Sequence, residues 1–274
     1  MRKHKIAIQG IEASFHYLAA QQLFGEDILM DYCNSFELVC KKVISNEVDY
    51  GVMAIENLLT GCILTNYHLI QRYGLNVIGE TTLPIELHLA GTKNASIEEI
   101  DKVISHPIAL GQCSKMLAKH KWSIGHSADT AGSAATVADK NDNHLAAIVN
   151  EQTVQLYDLH ILERNVQDIN GNKTRFLVLS REKVRNERAN QACISFELKH
   201  DVGTLSSVLD TIQQSGINLT KIQSIPIPDR LDSYSFIADL SCENRTLEKC
   251  LLKLQKETTN LNVLGTYIKN QPIS

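Results

Sequence analysis

The sequence predicts an α/β protein in two parts, and three observations carry that prediction. Strand-like and helix-like patterns alternate from Lys5 to Leu179. A stretch with six charged residues and almost nothing to bury, Arg181 to Gln191, then interrupts them. Beyond it, segments of period two and period 3.6 follow in the order βαββαβ, the pattern of a ferredoxin-like unit.

In the first part the expected strands are Lys5–Gln9, Val48–Ile55, Val77–Thr82, Pro84–Leu89, Val103–Ser105, Leu145–Val149 and Arg175–Leu179. Helical spacing lies between several of them, over Glu12–Phe24, Leu64–Arg72, Ala109–His120 and Thr130–Ala138. Such alternation favours parallel pairing, with ligands received beyond the carboxyl ends of strands. After the charged stretch, Ile194, Phe196 and Leu198 alternate with polar residues. Leu205, Val208, Leu209 and Ile212 mark an amphipathic helix stopped by Gly216. Leu219–Ile227 is extended and runs into Pro228, Tyr234–Leu240 alternates again, Leu247–Leu254 is helical, and Val263–Ile268 closes the unit. The expected division is therefore 1–180, a linker over 181–191, and 192–274.

Composition narrows the function classes. With 274 residues, 27 basic against 31 acidic side chains and a net charge of −4, the chain is not built to coat nucleic acid or anionic lipid. No stretch is apolar enough to span a bilayer, and Ile6-Ala7-Ile8 after the basic start is too short for a signal sequence. Seven cysteines (33, 40, 62, 113, 193, 242 and 250), odd in number and with no C-x-x-C pair, read as reduced thiols of a cytoplasmic protein.

Five polar clusters sit where an α/β site is expected. Ser14, after Gly10-Ile11-Glu12-Ala13, offers a hydroxyl at a helix start, or a simple cap. Asn57, in Ile55-Glu56-Asn57, ends a strand as a donor, or as an Asx turn. His106, in Ser105-His106-Pro107, suits acid/base work or a helix start equally well. Asp129-Thr130-Ala131-Gly132-Ser133 gives a capped helix whose small residues admit a ligand, or merely pack closely. Gln167-Asp168 precedes Asn172-Lys173-Thr174-Arg175-Phe176, where Thr174 and Arg175 point to opposite faces unless the backbone bends. Phosphate-binding glycine loops, the G-x-S-x-G elbow and zinc-ligand spacings are absent from the sequence, and no metal or cofactor is expected.

In order and spacing, these clusters resemble the prephenate dehydratase family from about Ile6 to Ile268. Thr174-Arg175-Phe176 is similar to its most specific signature, and Ser105-His106-Pro107, Asp49-Tyr50-Gly51 with Ile55-Glu56-Asn57, and Gly79-Glu80 with Leu83-Pro84 match further blocks. Leu58, Cys62 and Ile108 stand where the family has polar residues, and Gln223-Ser224-Ile225-Pro226 replaces a charged block. The resemblance implies a two-lobed catalytic domain like periplasmic binding proteins, followed by an ACT regulatory domain. It implies conversion of prephenate to phenylpyruvate, with Thr174, Arg175, Asn57 and Thr130 catalytic and with Ser14, Glu56, Phe176, Ala131 and His106 binding substrate. Arg175 would hold a carboxylate and Thr174 would assist the leaving hydroxyl. Phenylalanine would bind at Gly203, Thr204, Leu205, Asn218 and Ser224 of a homodimer or homotetramer. Arogenate as substrate, or a catalytically weak amino-acid or keto-acid sensor, are the other readings.

Overall fold

A computed structural model describes residues 3–184, 186–199, 201–227, 234–241 and 244–273. Cys242 and Pro228 lie outside the described residues. The first lobe runs β1 (Lys5–Gln9), α1 (Phe15–Phe24), β2 (Leu29–Cys33), α2 (Phe36–Ile44), β3 (Tyr50–Asn57), β4 (Gly61–Cys62), α3 (Leu64–Arg72) and β5 (Asn76–Pro84). The second runs β6 (His88–Gly91), β7 (Lys102–Ser105), α4 (Pro107–Gln112), α5 (Ser114–Leu117), β8 (Ser123–His126), α6 (Thr130–Lys140), β9 (Leu145–Val149), α7 (Glu151–Leu156) and β10 (His160–Glu163). Its sheet has the order β10-β6-β9-β7-β8. The chain then crosses back, and β11 (Lys173–Ser180) enters the first sheet between β3 and β5, antiparallel to both. The first sheet is thus β2-β1-β3-β11-β5, with β4 on β3. Its central strands and β9 are continuous apolar runs because both faces are covered.

Local chemistry moves several boundaries. The helix expected from Glu12 starts at Phe15, because Gly10 (φ 104) and Ala13 (φ 60) make a turn that Ser14 then caps. The pattern read as a helix over Ala109–His120 breaks at Cys113 into α4 and α5. Val77–Thr82 extends to Pro84, and residues 85–87 are the crossing between sheets rather than a strand. The sequence predicts none of β2, α2, β4, β8, α7 and β10.

The C-terminal module consists of β12 (Gln191–Glu197), α8 (Thr204–Gln214), β13 (Asn218–Pro226), β14 (Tyr234–Ser241), α9 (Asn244–Glu257) and β15 (Thr259–Tyr267). Its antiparallel sheet has the order β13-β14-β12-β15. Alternation splits its apolar residues between two cores. Ile194, Phe196 and Leu240 meet Val208, Ile212, Leu247 and Leu254 of the two helices. Cys193, Ile225, Ile237, Leu264 and Tyr267, on the opposite face, share a core with Met53, Leu177 and Leu179 of the first lobe. Gly265 permits this docking, since a Cβ there would lie 1.8 Å from the carbonyl oxygen of Val77. Beyond β15 the chain returns to the first lobe, where the Ile273 N–H donates to the Leu23 carbonyl at 2.7 Å. Among the described residues no helix is long and apolar enough to cross a membrane, and the six described cysteines are unpaired with one another.

Candidate functional site

A β-bulge builds the centre of the site. Thr174 lies opposite Asn57 and Arg175 opposite Glu56, but Phe176 lies opposite Ala54, so Ile55 is an extra residue on β3. Met53 and Ile55 share one core with Leu177 and Leu179, while Ala54 and Phe176 belong to the other. The extra residue resets the alternation and returns Asn57 to the face of Thr174. There the Asn57 Nδ2 donates to Thr174 Oγ1 at 2.8 Å. Asn57 Oδ1 accepts from the N–H groups of Leu59 (3.0 Å) and Thr60 (3.1 Å), which fixes the amide's orientation. The Thr174 hydroxyl accepts from Asn57, so its own proton is left for donation.

Two side chains outside the predicted clusters hold the bulge. His16 Nε2 accepts from the Ala54 N–H at 3.2 Å, and Asn66 Nδ2 donates to the Ala54 carbonyl at 2.6 Å. Burial lowers the His16 pKa to about 4, so near neutrality the ring is uncharged and free to accept at Nε2. It lies between the rings of Phe36 (5.2 Å) and Phe176 (5.1 Å). The only cue to it in the sequence is a histidine in the otherwise apolar start of α1, Phe15-His16-Tyr17-Leu18.

Strand direction places the remaining groups. Gly10–Ser14 follow the carboxyl end of the parallel strand β1, Asn57 closes β3, and Thr174 lies one residue into β11 at that same edge. In the second lobe His106, Thr130 and Asn150 follow the carboxyl ends of β7, β8 and β9. Hydrogen bonds tie the two edges to each other. The Ala13 carbonyl accepts from Asn150 Nδ2 at 2.9 Å and from Thr153 Oγ1 at 3.2 Å. Ser14 is buried and caps α1 by accepting from the Tyr17 N–H. Asp129 caps α6 through the Gly132 N–H (2.6 Å), which puts Thr130 in its first turn and Ala131 in the core behind it. His106 caps α4, its Nδ1 accepting from the Ile108 N–H at 3.2 Å. Burial lowers its pKa, with Asp129 opposing. Gln167 and Asp168 belong to the crossing between lobes: Gln167 Oε1 accepts from Leu87 N–H, and Asp168 accepts from Ser114 Oγ and the Lys115 N–H.

Arg175 and Glu56 lie on the other side of the sheet. Arg175 Nε donates to Glu80 at 2.6 Å, Nη1 to Asp239 at 2.5 Å and Nη2 to the Tyr267 hydroxyl at 3.0 Å. Burial alone would lower its pKa; the surrounding Tyr267, Asp239 and Glu80 outweigh that and raise it. Glu56 receives Lys221 Nζ at 3.0 Å. The bend that would have brought Arg175 to the cleft occurs on β3 and moves Asn57 instead. Phe176 is buried beneath Thr174. In the C-terminal module Gly203 (φ 89) precedes α8, with Thr204 and Leu205 in its first turn. Asn218 and Ser224 open and nearly close β13, roughly 20 Å apart at strand rise, so one chain does not gather both at a single point.

The fold and site define a class: a two-lobed α/β protein with an uncharged, hydrogen-bonded Asn–Thr pair at the carboxyl edge of its first sheet. The chain belongs to the prephenate dehydratase family, whose profile matches residues 6–184. It is 37% identical over 246 residues to the prephenate dehydratase of Methanocaldococcus jannaschii, covering 88% of each chain. It is 33% identical over 270 residues to the bifunctional chorismate mutase/prephenate dehydratase of Aquifex aeolicus, covering 98% of this chain and 74% of that one. It is also 33% identical to arogenate dehydratase/prephenate dehydratase 2 of Arabidopsis thaliana, covering 96% and 72%. Among solved structures, the prephenate dehydratase of Staphylococcus aureus superposes with a TM-score of 0.84 at 26% identity, covering 96% and 99%. That of Arthrobacter aurescens, in complex with L-Phe, superposes with 0.86 at 23%, covering 98% and 92%, and bears on the fold.

Proposed function

We propose that this chain is a lyase that converts prephenate to phenylpyruvate, carbon dioxide and water, as a step of phenylalanine biosynthesis. The observation that carries the reading is the Asn57–Thr174 pair at the carboxyl edge of the first sheet, in a member of this family. In the reaction the bond to the ring carboxylate breaks and its electron pair enters the ring. The carbon–oxygen bond then breaks, and the departing hydroxide becomes water on receiving a proton. Aromatisation supplies the driving force, so the protein's task is orientation and help for the leaving oxygen.

Thr174 donates its hydroxyl hydrogen to that oxygen, in an orientation that Asn57 enforces. A threonine hydroxyl is too weak an acid to titrate near neutrality, so its contribution is a hydrogen bond strengthened as charge develops. With Arg175 engaged behind the sheet, the substrate carboxylates are received by the starts of α1 and α6, at Ser14 and Thr130. A net charge of −4 gives a dianion no long-range attraction, which makes this local capture the whole of the binding electrostatics.

We assign 1–180 to catalysis, 181–191 to a linker, and 192–274 to an ACT regulatory domain in a cytoplasmic homodimer or homotetramer. Phenylalanine would bind at its subunit interface near Gly203–Leu205 and Asn218. The test is phenylpyruvate formation from prephenate and, in parallel, from arogenate, each with and without phenylalanine. Turnover of prephenate that phenylalanine suppresses supports the reading. Faster turnover of arogenate moves the substrate assignment, and no turnover of either overturns it. Absence of calorimetric phenylalanine binding removes the regulatory half.

A further inference from the structure

Arg175 is unusual for a residue next to the centre of a site, because its charge is fully occupied elsewhere. On the back of the β3–β11 pair, two acidic side chains of the first lobe and one of the C-terminal module meet Arg175 and Lys221, with Lys269 3.9 Å from Glu80. Glu80 and Asp239 are almost fully buried, with side chains 2% and 3% exposed, and both bind the Arg175 guanidinium at 2.5 Å. Glu56 lies 3.8 Å from the same guanidinium and 3.0 Å from Lys221 Nζ. The Tyr267 hydroxyl joins the two halves, accepting from Arg175 at 3.0 Å and donating to Glu80 at 3.1 Å. Asp239, Lys221 and Tyr267 all come from the C-terminal sheet, on β14, β13 and β15. Lys221 also donates to the Tyr67 hydroxyl of α3 at 3.2 Å.

The residues gripped from behind are the immediate neighbours of the pair in front. Arg175 follows Thr174 and Glu56 precedes Asn57, and each gripped residue is opposite the other in the strand register. A planar guanidinium held by two buried carboxylates and a phenol has one orientation, so the backbone that carries it is held too. We infer that Arg175 is a positioning residue, and that Asp239 and Lys221 make the seating of the C-terminal module a condition for aligning the Thr174 hydroxyl with Asn57. The inference rests on the proposed role of that pair. It deepens that role by naming the physical link between the two parts of the chain: anything that shifts the module on the first lobe moves charged groups one residue from the reacting hydroxyl.

The test uses the full chain, with kcat and KM for prephenate measured alongside circular dichroism and thermal melting. Asp239→Asn keeps the shape and removes the charge. The expected result is a folded protein whose kcat falls by about tenfold to a hundredfold, the cost of a misplaced catalytic group, with KM held within about twofold. In a Thr174→Ala background the same substitution should cost nothing further, because no hydroxyl remains to be placed. A folded Asp239→Asn chain with wild-type kcat overturns the inference. So does a loss carried in KM, or one repeated in full in the Thr174→Ala background. If Asp239→Asn does not fold, Arg175→Lys, which keeps the charge and loses the fork, is read in the same way; if neither folds, the network is a structural clasp and the inference is overturned. Wild-type turnover by Thr174→Ala alone is a different result, and it strikes the proposed site itself.

Discussion

The two faces of the β3–β11 pair are made from the same few residues and are chemically opposite. In front, Asn57 and Thr174 form one neutral hydrogen bond and leave a hydroxyl proton for use. Behind, Arg175 and Glu56 enter a charged cluster completed by another part of the chain. The difference shows how a three-residue motif divides its labour. Thr174 pairs with Asn57, Arg175 faces the C-terminal module, and Phe176 packs against His16 under the bulge.

The largest effect should come from breaking the back face. Arg175→Met leaves Asp239 without its buried partner and Glu80 with only the exposed Lys269 at 3.9 Å, so unfolding in urea should show a loss of about 3–5 kcal/mol. A loss below about 1 kcal/mol would mean that water reaches the cluster. Next is the front face: Thr174→Ala should cost about 3–4 kcal/mol of transition-state stabilisation in kcat/KM while leaving the melting temperature nearly unchanged. Thr174→Ala thus costs turnover without stability, whereas Arg175→Met costs stability and, through the pair it positions, turnover as well; a stability loss in Thr174→Ala that matched that of Arg175→Met would dissolve the contrast.

The third prediction concerns what lies between the faces. His16 is neutral in the fold with its pKa lowered to about 4, against an ordinary value of 6.5. Its contribution to stability is fully present above pH 6.5 and is lost as pH falls from there towards 4, by on the order of 3 kcal/mol. Urea midpoints across that range should fall in the wild type and fall less in His16→Gln; parallel curves would show that the ring does not report there. The smallest effect is at the latch. Asn150→Ala removes the bond to the Ala13 carbonyl, and about 1 kcal/mol of stability should go with it. KM for prephenate should rise if closure of the lobes depends on that bond.

What the sequence makes legible follows from how local the cause is. Lys5–Gln9, Leu64–Arg72 and Leu145–Val149 have their expected ends because unbroken apolar runs or clean helical spacing decide them. The edge strands β2, β8 and β10, short and largely unburied, have no such pattern. Asn57 and Thr174 stand out as candidates from residue type and strand position. Their pairing does not, since it depends on the extra residue at Ile55 and on register between segments 117 residues apart. Arg175 illustrates the same limit: a guanidinium beside a candidate hydroxyl suggests a substrate carboxylate, until Asp239, 64 residues away, claims it. His16, Asn66 and Asn150 satisfy backbone groups or bridge lobes, and no local pattern announces such work.

The return of β11 into the middle of the first sheet also sets an order of assembly. During synthesis Asn57 leaves the ribosome 117 residues ahead of Thr174, a delay of roughly 6 to 23 s at ordinary elongation rates. Within that interval the second lobe emerges as one uninterrupted segment able to close on itself. The first lobe meanwhile waits with β3 and β5 lacking the strand that joins them, two unpaired edges open to wrong partners. The Asn57–Thr174 pair is therefore among the last features of its lobe to form, and a nascent chain halted before residue 173 would carry half of it and a gap in its sheet.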